Sequence, residues 1–296
     1  MGGVGDEREI SLLSGRAVFD ALRRELDDVI AIDFNGEDAP ALKTLLDRAD
    51  TVFVALHGRY GEDGAIQACL DQLGVPYTGS GPHGSRCSFF KDVSRRMFLS
   101  AGIPVPEGVA IPLERRCLLE HTGRMGLPLV LKPVDSGSSI GVSIIRRAED
   151  IDAAFDKAVR AARQALLLER YVEGREITIG ILGNKTLPPI ELKPAREFYD
   201  YEAKYIDDRT VYIVPAQLPP VSAALAAELA LRAFSVLGCS GFGRVDMIIS
   251  SAGPLVLEVN SIPGFTSHSL LPMAARAAGL DFTALCLLIT ALAEKD

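Results

Sequence analysis

The chain has 296 residues, 48% hydrophobic and 24% charged, with a formal net charge of −8 and a pI of about 5.2. That length allows two or three packed domains, and that balance belongs to a globular rather than a disordered protein. The acidity argues against nucleic acid or an anionic membrane surface as the main partner, though a local basic pocket for a phosphorylated ligand stays open.

The chain opens MGGVGDEREISLLSG. A glycine pair before a helix marks the turn that follows a strand, yet no strand precedes it here. From Glu9 to Leu26, apolar residues recur at helical spacing. DDVIAIDF reads as a strand, residues 41–48 as a helix, TVFVALHG as a second strand, and DGAIQACLDQLG as a helix closed by Gly74. VPYTGSGPHG reads as a loop. Alternating strands and helices imply a mostly parallel, doubly wound sheet, with a boundary near residue 83.

KDVSRRMFLSAG is the next predicted helix. LPLVLKP and GVSIIRR are strands joined by VDSGSSI, residues 149–165 form an Ala-rich helix, and ALLLERYVEG gives a strand and turn before a boundary near 172. The last part starts with the strand EITIGILG. The Tyr-rich REFYDYEAKYIDDRT has no clear period. A helix follows over 221–237, then the strand pair GRVDMIIS and GPLVLEVN. The predicted divisions are therefore 1–83, 84–172 and 173–296. ALCLLITALA is too short to span a bilayer and reads as a packed terminal helix. The acidic N-terminus is not that of a secretory signal. Asp6 stands where a myristoylation motif has Ser or Thr. The five cysteines, Cys69, Cys87, Cys117, Cys239 and Cys286, sit in apolar or helical settings, as buried thiols of a reducing cytoplasm would.

Four groups of residues could carry chemistry. A hairpin centred near Ala252 puts Asp246 opposite Glu258 and Arg244 opposite Asn260, all on one face. Two facing carboxylates repel, and oxygen donors grouped this way suit Mg²⁺ with phosphate; a solvated sheet face is the plain alternative. Lys132 closes an apolar strand before the Gly-Ser loop Ser136–Gly141, whose backbone N–H groups can approach phosphate oxygens. That loop lacks the GxxxxGK[ST] pattern and also fits an ordinary turn. His57 lies past the end of a strand, where ligand sites of parallel sheets form, although a lone histidine there is often structural. Glu7, with Asp6, either serves a ligand or simply complements the helix dipole.

Together these segments resemble D-alanine–D-alanine ligases of the ATP-grasp superfamily. The likeness rests on GGVGDEREISLLSG, ALHGRYGEDGAIQACLDQLGVPYTGSG, LVLKPVDSGSSIGVS, FYDYEAKY, GRVDMI and LEVNSIPGFTSHSLLPMAARAAG, spread in order over nearly the whole chain. The resemblance implies a three-domain α/β fold with central and C-terminal α+β domains gripping ATP. It implies ligation of two D-alanines, with ADP and phosphate released, for peptidoglycan precursors. It implies two Mg²⁺ (or Mn²⁺) ions on Asp246, Glu258 and Asn260, with ATP held by Arg95, Lys132, Glu169, Glu176, Phe198 and Lys204. Arg244 and the Gly264 N–H would stabilise the tetrahedral oxyanion. Glu7 would bind the first substrate's ammonium with His57 close by. Ser269 and Leu270 would serve the second substrate, and Tyr205 would reach Ser138 and Glu7 as part of a lid. A cytoplasmic protein, a homodimer, and no nucleic-acid or membrane partner are also implied.

Two departures stand out. Arg95 occupies the place of a family lysine, keeping the charge with a different geometry. Met1 stands where the first strand of relatives would end, so either residues upstream belong to the native protein or this edge is loose and first-site affinity weak. The same-fold alternative is a D-lactate or D-serine ligase; the alternative from another class is a nucleotide-binding protein that no longer catalyses.

Overall fold

A computed structural model describes residues 1–5, 7–36, 39–193, 210–266 and 268–293. Helix α1 (Arg8–Leu22) buries Ile10, Ser14, Val18, Ala21 and Leu22, a stripe at helical spacing. It stops short of the predicted Leu26, which is 41% exposed and has no core to reach.

The N-terminal sheet departs from expectation. Its direction is parallel, but the predicted strands over 27–34 and 51–58 contribute only isolated bridges, Gly2 with Phe34 and Val52 with Tyr77. The physical reason is that, among the described residues, these tracts have no ladder partner. Residues 1–3 reach only the end of the first tract, with Phe34 N–H donating to the Met1 carbonyl at 2.9 Å and Gly3 N–H to the Phe34 carbonyl at 2.6 Å. On the other side a side chain fills the gap. The Ser11 hydroxyl accepts the Gly2 N–H at 2.9 Å and donates to the Ala55 carbonyl at 2.6 Å. Helices α2 (Ala39–Leu46) and α3 (Ala65–Leu73) cover this layer, and Gly74 closes α3 at φ 69°.

Helix α4 (Pro82–Phe89) forms where a loop was predicted; Pro82 at its first turn is compatible with helix. Helix α5 (Lys91–Ser100) follows. A four-stranded antiparallel sheet then orders β1 (Gly108–Ile111), β4 (Leu166–Arg170), β2 (Leu129–Pro133) and β3 (Ser143–Ile145). Helices α6 (Arg115–Met125) and α7 (Ile151–Ala161) bury Leu118, Ala154 and Ala158 against Leu129, Leu131, Leu166 and Leu168. Strand β1 and helix α6 lie in a stretch where no element was predicted.

The largest sheet holds β5 (Arg175–Leu182), β6 (Lys185–Thr186), β7 (Ile190–Lys193), β8 (Val211–Ile213), β9 (Phe242–Ser250) and β10 (Gly253–Asn260), in the order β10-β9-β5-β7-β8 with β6 beside β5. Helix α8 (Pro220–Val236) packs Ala226, Leu229, Ala233 and Phe234 on one face, and Phe98 and Ile103 join that core. A second core joins α1 to α9 (Leu270–Ala277) and α10 (Phe282–Ala291) through Val18, Leu22, Phe265, Leu271 and Ile289. The opening helix is therefore bound to the last third of the chain, which fixes Glu7 relative to the β9–β10 hairpin. Among the described residues no single helix is long and apolar enough to cross a membrane; α9 and α10 pass that test only as a pair bent by 103°.

Candidate active site

Parts of the chain distant in sequence close on one pocket. Its walls come from Glu7, His57 and Glu62, from Gly137 and Ser138, from Arg244 and Asn260, and from Gly264, Ser269 and Leu270.

The hairpin face has the predicted pairing, Glu258 opposite Asp246 and Asn260 opposite Arg244. A β-bulge produces it. Val256 pairs with Met247, so Leu257 is the extra residue before Glu258. In an unbroken ladder Glu258 would fall opposite Val245 and face the core beside Val256. The bulge turns Glu258 and Asn260 to the face of Asp246. The Asp246 carboxylate accepts Arg244 Nε and Nη2, both at 2.8 Å, the Thr178 hydroxyl at 2.6 Å and Asn260 Nδ2 at 3.1 Å. Glu258 lies 3.1 Å from the Lys91 ammonium, which also donates to the Ser136 carbonyl at 2.8 Å. Two carboxylates and an amide are hard oxygen donors, and their mutual repulsion across the ladder favours a cation on this face. The donor set fits Mg²⁺ or Mn²⁺. Among the described residues no group of three or more His, Cys, Asp or Glu makes a further metal site.

On the central sheet, Glu169 is buried and holds two cations. Lys132 Nζ is 2.6 Å from one carboxylate oxygen and Arg95 Nη1 is 3.3 Å from the other. Arg95 also donates to the Pro106 carbonyl. Glu176 stands on β5 opposite Ile248, two residues before Thr178 on the same strand face. Phe198, Lys204 and Tyr205 lie outside the described residues.

The pocket's other wall is built from loops. Ser138 and Ser139 both take left-handed backbone, at φ 51° and 57°, which L-residues with side chains adopt at a cost. That bend lets the Ser138 hydroxyl donate to Glu7 Oε1. Gly58 has φ +67°, and a Cβ there would stand 2.4 Å from Glu7 Oε2. Its N–H donates to Glu62 Oε2 at 2.6 Å, so two carboxyl groups meet around one glycine. Burial, then the Glu7 charge, pushes the Glu62 carboxyl up to about 8. His57 has Nδ1 3.1 Å from the Ile262 carbonyl and Nε2 3.1 Å from the Ser14 hydroxyl, and burial pushes its pKa down to about 4. Arg59, two residues on, donates to Asp135 Oδ2 at 2.7 Å, linking this loop to the strand end that leads into Ser138. The Ser269 hydroxyl accepts the Thr266 N–H at 2.8 Å just before α9 begins at Leu270.

The structure thus brings Glu7, His57, Ser138, Arg244, Asn260, Gly264, Ser269 and Leu270 to one pocket. It joins Asp246 and Glu258 on the adjoining face and groups Arg95, Lys132 and Glu169 nearby. Sequence reasoning gave no role to Glu62, Thr178, Arg59 or Asp135. Glu62 sits in the quoted GRYGEDG run, where a carboxylate near His57 was a usable signal. Thr178 becomes visible only once β5 is known to pair with β9.

Known proteins resemble this chain over nearly its whole length. Profiles described as D-ala D-ala ligase C-terminus and D-ala D-ala ligase N-terminus match residues 97–291 and 34–80. A D-alanine–D-alanine ligase of Alkalilimnicola ehrlichii is 48% identical over 97% of this chain and 90% of its own length. One from Laribacter hongkongensis is 43% identical over 97% of this chain and 92% of its own. A crystal structure of D-alanine–D-alanine ligase from Bacillus anthracis complexed with ATP superposes with a TM-score of 0.85, at 33% identity, over 99% of this chain and 94% of that one.

Proposed function

The chain belongs to the D-alanine–D-alanine ligase family, and on that premise we propose how its residues perform the reaction. It joins two D-alanines at the expense of ATP, giving D-alanyl-D-alanine for peptidoglycan synthesis. A carboxylate is a poor acyl donor until it carries a leaving group. The carboxylate of the first D-alanine therefore attacks the γ-phosphoryl group, ADP departs, and an acyl phosphate remains. The amine of the second D-alanine attacks that carbonyl carbon, loses a proton, and phosphate leaves. Anions must be brought together throughout, so positioning and charge neutralisation carry the catalysis.

The convergence of Glu7, Ser138, Arg244 and the Gly264 segment on one pocket carries this reading. Glu7, oriented by Ser138, receives the first substrate's ammonium. Arg244 and the Gly264 N–H face the carbonyl oxygen as it becomes an oxyanion. Ser269, beside Leu270, holds the second substrate's carboxylate, and Tyr205 closes the site. Lys132, Arg95 and Lys204 serve the phosphates, while Glu169, Glu176 and Phe198 serve the nucleoside end. Asp246, Glu258 and Asn260 would hold Mg²⁺ or Mn²⁺, two ions on our reading, which supply positive charge to the phosphate oxygens. On this reading the chain divides into 1–83, 84–172 and 173–296, with Phe98 and Ile103 of the central part packed into the C-terminal core. The five cysteines are free thiols, as a reducing cytoplasm would keep them.

The test is direct. Purified protein with Mg-ATP and D-alanine should release ADP and phosphate in step with dipeptide, and L-alanine should give none. ATP binding without dipeptide would overturn the reading.

A further inference from the structure

Ser14 was assigned no role in the reaction, yet the structure spends its hydroxyl fully. It is 0% exposed on the inner face of α1. The Ile262 carbonyl can only accept, so His57 Nδ1 carries the imidazole proton and donates across 3.1 Å. His57 Nε2 is then an acceptor, and the Ser14 hydroxyl donates to it at 3.1 Å. The same Ser14 oxygen accepts the Phe265 N–H, also at 3.1 Å. Both ends of the 262–265 segment are thereby fastened to the N-terminal part, one through His57 and one through Ser14 itself. Gly264 lies between them. A Cβ on it would stand 3.9 Å from Ser14 Oγ and 2.8 Å from Ser269 Oγ, so helix, loop and second-substrate serine share one small volume.

We propose that Ser14 is a positioning residue for the ligation: with His57 it clamps the Ile262–Phe265 segment to α1 and aims the Gly264 N–H at the reacting carbonyl. The inference rests on the functional reading above and extends it to a residue outside the pocket lining. His57 acts in it as a neutral spacer rather than a proton carrier, and burial keeps it neutral. The two ring nitrogens can be tested apart, since an asparagine amide overlays the Nδ1 end of histidine and a glutamine amide the Nε2 end.

Four variants decide the matter: Ser14→Ala, His57→Asn, His57→Gln, and the double variant Ser14→Ala with His57→Gln. Ser14→Ala should lower kcat for dipeptide formation at least tenfold while KM for ATP stays within twofold. His57→Asn should lose less than Ser14→Ala, because it keeps the Ile262 contact and leaves the Ser14–Phe265 bond in place, breaking only the link between them. The double variant should be no slower than the slower single change, and should unfold in denaturant no more readily than the weaker single one. A kcat for Ser14→Ala within twofold of the parent, or a rise in ATP KM equal to the fall in kcat, would overturn the proposal. Additive losses of unfolding stability would overturn the clamp alone. Absence of dipeptide from the parent enzyme would instead overturn the functional reading and the catalytic part of this one with it.

Discussion

The β9–β10 hairpin and the N-terminal edge hold two walls of one pocket by different means. On the hairpin, Arg244, Asp246, Glu258 and Asn260 are set by backbone pairing, bulged at Leu257 between β9 and β10 and unbroken between β9 and β5. At the N-terminal edge, Glu7, His57 and Glu62 hang on turns whose neighbouring tracts form only single bridges. Side chains do there what ladder bonds do in the hairpin: Ser11 spans to Ala55, Ser14 to His57, Ser138 to Glu7 and Arg59 to Asp135. A ladder tolerates loss of a side chain because its backbone bonds remain. A wall held by side chains loses its geometry along with the chemistry.

The largest effect should come from the laddered wall, and it should be chemical. Arg244→Ala removes the bidentate partner of Asp246 and the cation facing the pocket. The kcat/KM for dipeptide formation should fall about 10³-fold, the size expected for an oxyanion donor. The melting temperature should drop by only a few degrees, because the ladder survives. A tenfold loss or less would remove Arg244 from the oxyanion wall.

The loop-held wall should respond in the opposite sense. The Asp135 side chain is 0% exposed and Arg59 30%. Without Arg59 the buried carboxylate still accepts the Arg163 N–H at 3.3 Å. A double-mutant cycle of Arg59→Ala and Asp135→Asn should give a coupling of about 2 kcal/mol in unfolding, discounted for the part-exposed guanidinium. KM for D-alanine should rise about tenfold in Arg59→Ala while KM for ATP holds. Equal effects on both substrates would erase the contrast between the walls.

That contrast also marks what the sequence could reveal. Alternation in VDMII and LEVN places Asp246, Glu258 and Asn260 by local pattern, and the pairing centred on Ala252 agrees at the site. The turn itself pairs Gly253 with Ser250, one step off that centre, and the bulge at Leu257 restores it. A bulge leaves little trace in periodicity, so the agreement owes as much to the charged residues themselves as to hairpin symmetry. In the N-terminal part, DDVIAIDF and TVFVALHG have strand composition, but composition cannot supply a ladder partner. Strand β1 and the short β6 to β8 carry weak local signals and exist because the sheets around them complete their bonding, while α6 is held by Leu118 packed on the central sheet. Glu62 and Thr178 acquire meaning only from neighbours remote in sequence.

Electrostatics distinguishes the loop-held wall in a third way. The Glu62 carboxyl, raised from 4.5 to about 8, binds its proton more tightly in the folded state. Between those values the folded protein holds more protons than the unfolded one, so stability declines as pH rises toward 8. His57 acts with the opposite sign and lower down, costing stability as pH falls from 6.5 toward 4. The Met1 amine, pushed down to about 6, opposes Glu62 between pH 6 and 8, so parent and variant must be compared in one window. Glu62→Gln keeps an acceptor for the Gly58 N–H and removes the titration. From pH 6.5 to 8 it should lose less stability than the parent, by about 1 kcal/mol. Parallel pH profiles would show that the two carboxyl groups at Gly58 do not compete.

The smallest effect should lie where neither mode of support is at stake. Arg95 sits on a helix, at 11% exposure, and divides its guanidinium between the Pro106 carbonyl and Glu169. Its partner carboxylate is also held by Lys132 at 2.6 Å, on a neighbouring strand. Both contacts come from one nitrogen, Nη1, so Arg95→Lys keeps the charge, but a flexible four-carbon stem holds its ammonium between the two acceptors less rigidly than the planar guanidinium does. Lys132 still anchors Glu169, so only its alignment toward the nucleotide should loosen. KM for ATP should rise about threefold, less than 1 kcal/mol, with kcat and KM for D-alanine unchanged. A fall in kcat would mean that the Arg95–Glu169 pair reaches the reacting phosphate. The division between a wall that holds chemistry and a rim that holds nucleotide would then have to move inward, to include Glu169.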